Sequence, residues 1–376
     1  MNKKISIYQF FIIMTIVPYG SASLFFLAPK AKQDEWIAIL LYSLGGILLQ
    51  LIYISLYKKY PNDTIVTYMP KIYGKFLGNV LSIAYIVYFT YISSRVFRDF
   101  VELISAFSLQ HTPKIIFSLL FIITVIYAVY NDIDNISSLA QLYFIIIIVI
   151  KIVSFFLVIA PQDNFKFYNI KPILSSGILD LMKKSWPLIT VPYGETVLFT
   201  MFYPLVIENS KIKKAAVLSI IMDAILLAIN SITFICTLGA NFASSTNFPL
   251  LETYRLINIG DFLSRLDIIF ILVFLVDGFF KISIFLYGAV LGTSQILRLK
   301  NTRILPIPFG AIVLVAALSM AKNYPQHIKF GLNYVVKYVH VPMQIIIPVL
   351  TLLVCSVKSL GSSSRTGSDT KSGNKK

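Results

Sequence analysis

Charge is scarce in this chain, and cysteine is nearly absent. Only 13% of its 376 residues are Asp, Glu, Lys or Arg, against roughly 25% in soluble domains. So few charges cannot cover a water-exposed surface of ordinary composition. The two cysteines, Cys236 and Cys355, both fall in apolar stretches, where they act as small apolar residues, and no disulfide framework follows. The three histidines, His111, His327 and His340, all lie near the ends of apolar runs. There is no Walker loop, no dinucleotide glycine fingerprint, no His-Glu-x-x-His and no Cys-x-x-Cys. The chain therefore reads as a non-enzyme that takes no cofactor and no metal. Acidic residues are the scarcer sign, 17 against 33 Lys and Arg, for a net charge of +16. With no nucleic-acid module in sight, basic residues beside membrane spans, attracted to anionic lipid, account for that excess.

What the chain has in abundance is apolar surface: 57% hydrophobic residues and a mean hydropathy of +0.78. Apolar runs of span length predict ten transmembrane helices, near 8–28, 36–57, 78–94, 115–131, 137–160, 186–207, 215–240, 266–286, 304–321 and 337–357. Lys3 and Lys4 ahead of a long first run suit a retained first span rather than a cleaved signal peptide. Basic clusters at Lys58 and Lys59, at Lys211, Lys213 and Lys214, and at Arg298, Lys300 and Arg303 place both termini on the inner side. Residues 1–358 thus form one membrane domain, and 359–376, rich in Ser, Gly, Lys and Thr, read as a disordered basic tail.

The tetrapeptide Val-Pro-Tyr-Gly occurs twice, at Val17–Gly20 and Val191–Gly194, in the first and sixth runs. Proline removes a backbone donor and glycine weakens the turn, so helices 1 and 6 are expected to break there. In hydrocarbon the freed backbone groups must find partners inside the protein or in a cavity. Matching breaks in two halves are the sign of an inverted repeat with a binding site near the bilayer midplane. The expected ligand-binding residues are Pro18, Tyr19, Gly20, Ser21, Ala22 and Ser23 on one side and Pro192, Tyr193, Gly194 and Glu195 on the other. Amides freed around Gly20 to Ser23 suit a carboxylate. Glu195 suits either an ammonium or the capping of freed amides. Tyr88 shares a face with Tyr85, Ile92 and Arg95, an aromatic wall leading towards a charged mouth, or plain packing.

A charge at membrane depth costs at least ~2.5–3.5 kcal/mol unless it is paired. Arg95 with Asp99 and Arg98 with Glu102, spaced i,i+4, read as ion pairs on the third span. Asp277 and Lys281 have the same spacing inside the eighth span and form either a structural pair or a coupling and gating pair. Lys151 has no sequence-local partner; carbonyls of the broken first helix and Ser283 are the acceptors expected for it. Asp223 is shallower. The longer connections 162–185 and 241–265 carry helical patterning that suits interfacial helices or a lid.

Several stretches carry a resemblance. They are Leu27-Ala28-Pro29-Lys30, Gln33-Asp34-Glu35-Trp36-Ile37, Arg98-Asp99-Phe100 with Thr112-Pro113, and the Pro192-to-Glu195 break. Phe248-Pro249-Leu250-Leu251-Glu252, Arg255 to Gly260 and Arg265-Leu266-Asp267 complete the set. From about residue 5 to 357 the chain resembles the endospore germination permease family, the B subunits of nutrient germinant receptors in spore-forming Firmicutes. That family is similar to the amino acid–polyamine–organocation transporters. The resemblance implies an all-α, LeuT-like protein of ten helices in a 5+5 inverted repeat, about 5–160 and 186–357. It implies a spore inner-membrane subunit that works with an A subunit and a lipoprotein C subunit and senses a nutrient such as an amino acid. By analogy with proton-coupled members of the superfamily, it also implies that Lys151 stands in for a bound cation. The alternative is a secondary transporter that couples an amino acid or other solute to protons or sodium.

Overall fold

Ser6 starts the first helix. Its hydroxyl accepts the Gln9 N–H at 3.2 Å, and the Gln9 side-chain oxygen accepts the Ser6 N–H at 2.9 Å. These two bonds satisfy donors that a helix start leaves bare. Helix α1 (Ile7–Ala22) then runs through Pro18 to Ala22. The expected break at the first Val-Pro-Tyr-Gly is therefore displaced: the helix unravels only after Ala22. Proline deletes one donor and leaves the following turn free to form, and here the Ser23 N–H still reaches the Tyr19 carbonyl at 2.9 Å.

The chain is described from a computed structural model over residues 4–107, 111–159, 165–256 and 266–369, with side chains over 4–106, 111–159, 165–256 and 271–358. Helices α2 (Glu35–Lys59), α3 (Ile65–Tyr73), α4 (Lys75–Phe107), α5 (Lys114–Tyr130) and α6 (Asp132–Ile159) follow α1. The second half holds α7 (Ile178–Ser185), α8 (Ile212–Leu238), α9 (Ala240–Ser245), α10 (Pro249–Arg255) and α11 (Leu266–Ile296). It ends with α12 (Pro306–Ser319), α13 (Tyr324–Phe330), a π-helix (Gly331–Ile346) and α14 (Ile347–Asp369). Of the expected tail 359–376, the backbone is thus helical to Asp369.

Six helical stretches among the described residues are long and apolar enough to cross a membrane: Pro29–Lys59, Lys75–Ala106, Asp132–Ile159, Asn209–Leu238, Ile271–Ile296 and Tyr324–Lys358. Ile7–Ala22, Lys114–Tyr130 and Pro306–Ser319 are shorter apolar helices. This is an all-helical, multi-pass membrane protein. Its lipid-facing side is plain on α6, where Leu142, Ile145, Val149, Ile152 and Phe156 are all exposed. The sixth apolar run contains no α-helix. It is a chain of 3-10 turns, Trp186–Ile189, Tyr193–Met201 and Tyr203–Leu205, buried throughout Tyr193–Met201.

Helix α1 is central, packing on α6, α8, α11 and the 3-10 segment Tyr193–Met201. Its start is pinned to the end of the sixth run, where the Ile5 N–H donates to the Leu205 carbonyl and the Ile207 N–H to the Ile5 carbonyl. Helix α4 lies along α11. Close approach there depends on small residues: a Cβ at Gly278 would sit 2.5 Å from the Phe100 ring, and one at Gly292 would sit 2.9 Å from Ile86. Helix α4 extends well past the window 78–94, because its charged third turn from the end ended the apolar run without ending the helix. The helical patterning of the two longer connections is realised as α7, α9 and α10, with α10 largely buried, while 257–265 lies outside the described residues.

Candidate ligand-binding site

Where α1 unravels, its last residues face a cavity of about 300 Å³, at the lower end of the size of small-molecule sites. Ser21, Ala22 and Phe25–Leu27 form one wall, and Ile92, Arg95, Val96 and Asp99 of α4 form another. Pro187, Val191 and Glu195 of the sixth run, residues 244–247 at the end of α9 and just after it, and Ile328, Gly331, Leu332, Val336 and His340 of α13 and the π-helix close it.

Glu195 is held from within. Its Oε2 lies 2.5 Å from the ammonium of Lys281, which also donates to the Ser21 hydroxyl at 2.7 Å, and Lys281 is wholly buried. The expected Asp277–Lys281 pair is thus not the one that forms. On one face of α11, Lys281 points to the two acceptors offered by α1 and the sixth run. Asp277, one turn away, accepts the Tyr143 hydroxyl at 3.2 Å and interacts electrostatically with Lys151 of α6. Asp277 also supports α1 from below: a Cβ at Gly20 would sit 3.0 Å from the Asp277 carbonyl oxygen.

On α4 the i,i+4 expectation holds once and fails once. Arg98 pairs with Glu102 at 2.6 Å and donates to the carbonyls of Ala317 and Leu318 at 3.3 Å each. Asp99 instead meets His327 Nε2 at 3.1 Å, and no ion pair joins it to Arg95 among the described residues. His327 arrives from α13 through tertiary packing, which no spacing on α4 could announce.

Of the residues expected at the ligand, Ser21, Ala22 and Glu195 line the cavity. Pro18, Gly20 and Ser23 are buried behind them, with the Ser23 hydroxyl donating to the Gly20 carbonyl at 3.2 Å. Tyr19 faces away and accepts a hydrogen bond from Asn230 at 3.1 Å. Pro192 is buried, and the Tyr193 hydroxyl turns to α2, donating to the Ile39 carbonyl at 2.8 Å. A Cβ at Gly194 would collide with the Gln344 side-chain amide. Tyr88 lies beneath the cavity, bonded to His340 Nδ1 at 2.8 Å and to Gln344 Nε2 at 2.7 Å. His340 and Gln344 escaped sequence reasoning, since nothing near them marks a site. Arg95 was legible as the charged end of the Tyr85–Tyr88–Ile92 face.

Lys151 lines a second cavity of about 190 Å³ together with Tyr19, Asn230 and Tyr254. Its ammonium stands 4.4 Å from the Phe274 ring centroid and 5.2 Å from that of Tyr19, a cation–π placement that offsets part of its desolvation. The expected bonds to first-helix carbonyls and to Ser283 do not form: neither Lys151 Nζ nor Ser283 Oγ has a hydrogen-bond partner among the described residues. Asp223 is buried in α8. No cluster of three or more His, Cys, Asp or Glu side chains suited to a metal ion occurs among the described residues.

Comparison with known proteins places this arrangement. The family described as "Spore germination protein" matches over residues 4–325. Spore germination protein KB of Bacillus subtilis (strain 168) is 33% identical over 352 residues, 93% of this chain and 94% of that protein. Spore germination protein YndE of the same strain is 28% identical over 336 residues, 88% of this chain and 89% of that protein. Spore germination protein XB of Bacillus anthracis is 24% identical over 297 residues, 78% and 81% of the two chains. Among solved structures, MhsT in complex with L-phenylalanine matches with a TM-score of 0.64 over 94% of this chain and 88% of that one. At 15% identity that likeness is one of fold. A buried, charge-lined cavity at the end of a central helix, on a transporter-like fold, is thus carried by a member of the spore germination protein family.

Proposed function

We propose that this chain is the nutrient-sensing membrane subunit of a spore germinant receptor, seated in the spore inner membrane beside an A subunit and a lipoprotein C subunit. The observation that carries the reading is the cavity at the end of α1. It is of amino-acid size, lies between the two segments that carry Val-Pro-Tyr-Gly, and is lined by charged groups from two elements, Arg95 and Asp99 of α4 and Glu195 of the sixth run. Ten spans in two inverted sets of five are proposed, with the three shorter apolar helices and the 3-10 segment counted as spans and the basic tail outside them. Ser21, Ala22 and Glu195 contact the nutrient, while Pro18, Tyr19, Gly20, Ser23, Tyr88, Pro192, Tyr193 and Gly194 shape the backbone around it. Lys151, Asp277, Lys281 and Ser283 flank α1 and couple its position to the state of the receptor. Sensing requires the nutrient to bind one conformation better than another, since equal affinity for both shifts nothing. Deleting this chain and scoring spore germination against single nutrients tests the reading. Loss of response to a subset of nutrients is the expected result, and an unchanged response to every one would refute it.

Secondary transport is the second reading, favoured by a buried lysine and a buried aspartate from facing helices beside the central helix. Proteoliposome flux separates the two. Gradient-coupled uptake of labelled solute supports transport, and binding without flux supports sensing.

A further inference from the structure

The charges around the main cavity are not equivalent. Glu195 is neutralised by Lys281 at 2.5 Å, and Asp99 already holds His327 at 3.1 Å. Arg98, three residues after Arg95, is spent on Glu102 and two carbonyls. Arg95 lines the cavity, and its guanidinium makes a single long contact among the described residues, 3.5 Å from Nη1 to the Tyr91 hydroxyl. The wall opposite it is Gly331, where any Cβ would collide with that guanidinium. The first turn of the π-helix therefore keeps room for the arginine fork at the cavity edge.

A guanidinium offers five donors in a planar fork that matches a carboxylate, and in a confined site such charge-assisted bonds are strong. We infer that Arg95 receives an anionic group of the ligand, so the cavity selects carboxylate-bearing solutes over neutral ones such as sugars and carboxamides. This rests on the cavity being the nutrient site, and it changes the expected division of labour. Glu195, tied to Lys281, organises the α1 end, and the ligand's negative end points towards α4 and the π-helix. Asp99, held by His327 one helical turn from Arg95, also lines the cavity, so an α-amino acid lying along α4 would set its ammonium towards that carboxylate.

The test compares spores carrying the wild-type chain with Arg95→Gln spores, using L-amino acids, their carboxamides and glucose as germinants. The wild type should answer at least one amino acid at a concentration at least about ten-fold lower than its carboxamide. R95Q should raise the concentration needed for the acid by a similar factor and erase the preference for acid over amide. An unchanged preference in R95Q, or a wild type that answers glucose and no carboxylate, overturns the inference. The latter result leaves the sensor reading intact, whereas a deletion strain that germinates normally removes the sensor reading itself. If R95Q is depleted from the membrane, thermal stabilisation of the purified wild-type protein decides. A larger shift with L-phenylalanine than with L-phenylalaninamide supports the role, and equal shifts overturn it.

Discussion

The Lys281 ammonium lies 2.5 Å from Glu195 and 2.7 Å from the Ser21 hydroxyl, joining residues 86 and 260 positions apart in the chain. That contact ties the end of α1, the 3-10 segment and α11 into one unit, and it fixes which charges remain for a ligand.

Removing one member of a buried ion pair leaves the other charge uncompensated, at a cost of about 3–5 kcal/mol. Glu195→Gln and Lys281→Met should each lower the thermal stability of the purified protein, and the double variant should lose less than the two single losses added together. Asp277→Asn combined with Lys281→Met should show no such compensation. A cycle in which the 277–281 combination compensates and the 195–281 combination does not would contradict the geometry.

Two glycines separate folding from response. A Cβ at Gly78 collides with the backbone of Pro70 and lies 2.6 Å from the Met69 carbonyl, atoms that cannot rotate away. Gly78→Ala should therefore deplete the protein from the membrane, as an immunoblot would read. A Cβ at Gly194 meets chiefly the end of the Gln344 side chain, which can swing aside and abandon Tyr88. Gly194→Ala should keep near-normal abundance and weaken the nutrient dose response; equal abundance and equal response in both variants would contradict this.

The positive-inside assignment predicts that a cysteine placed at Lys213 reacts with an impermeant maleimide only from the core side, and one at Lys184 only from the opposite side. Background labelling should be low, because Cys236 and Cys355 are both buried. Labelling of position 213 from outside would invert the topology.

Lys151 already places a positive charge beside α1, between the Tyr19 and Phe274 rings. Replacing sodium with potassium should leave the wild-type dose response unchanged. A sodium requirement would show that a metal ion shares the task. Lys151→Met, which removes the charge from between those two rings, should lower the thermal stability of the purified protein.

Much was legible from residue order alone. Apolar runs placed the long helices, because lipid demands about 20 apolar residues per span and self-satisfied backbone groups. The i,i+4 rule found Arg98 with Glu102, since both sit on one helix and Lys114, which shares Glu102, takes its other carboxylate oxygen. The same rule failed at Asp277 with Lys281 and at Arg95 with Asp99, where residues from other elements offered better geometry. The doubled Val-Pro-Tyr-Gly marked the two segments where α1 ends and where the sixth run departs from the α-helix. It misplaced the first interruption by a few residues, because one missing donor leaves the next turn of helix intact.

The membrane class, the six long apolar helices and the basic asymmetry were set by composition and periodicity, which act locally along the chain. The identity of each charge's partner was decided only by the tertiary structure. Glu195 goes to Lys281, Asp99 to His327, Asp277 to Tyr143 and Lys151, and Arg95 is left at the cavity. The reason is physical. A buried charge is stabilised by whichever opposite charge or dipole comes within about 3 Å in the folded state, and here that neighbour lies 86, 134 or 228 residues away in sequence.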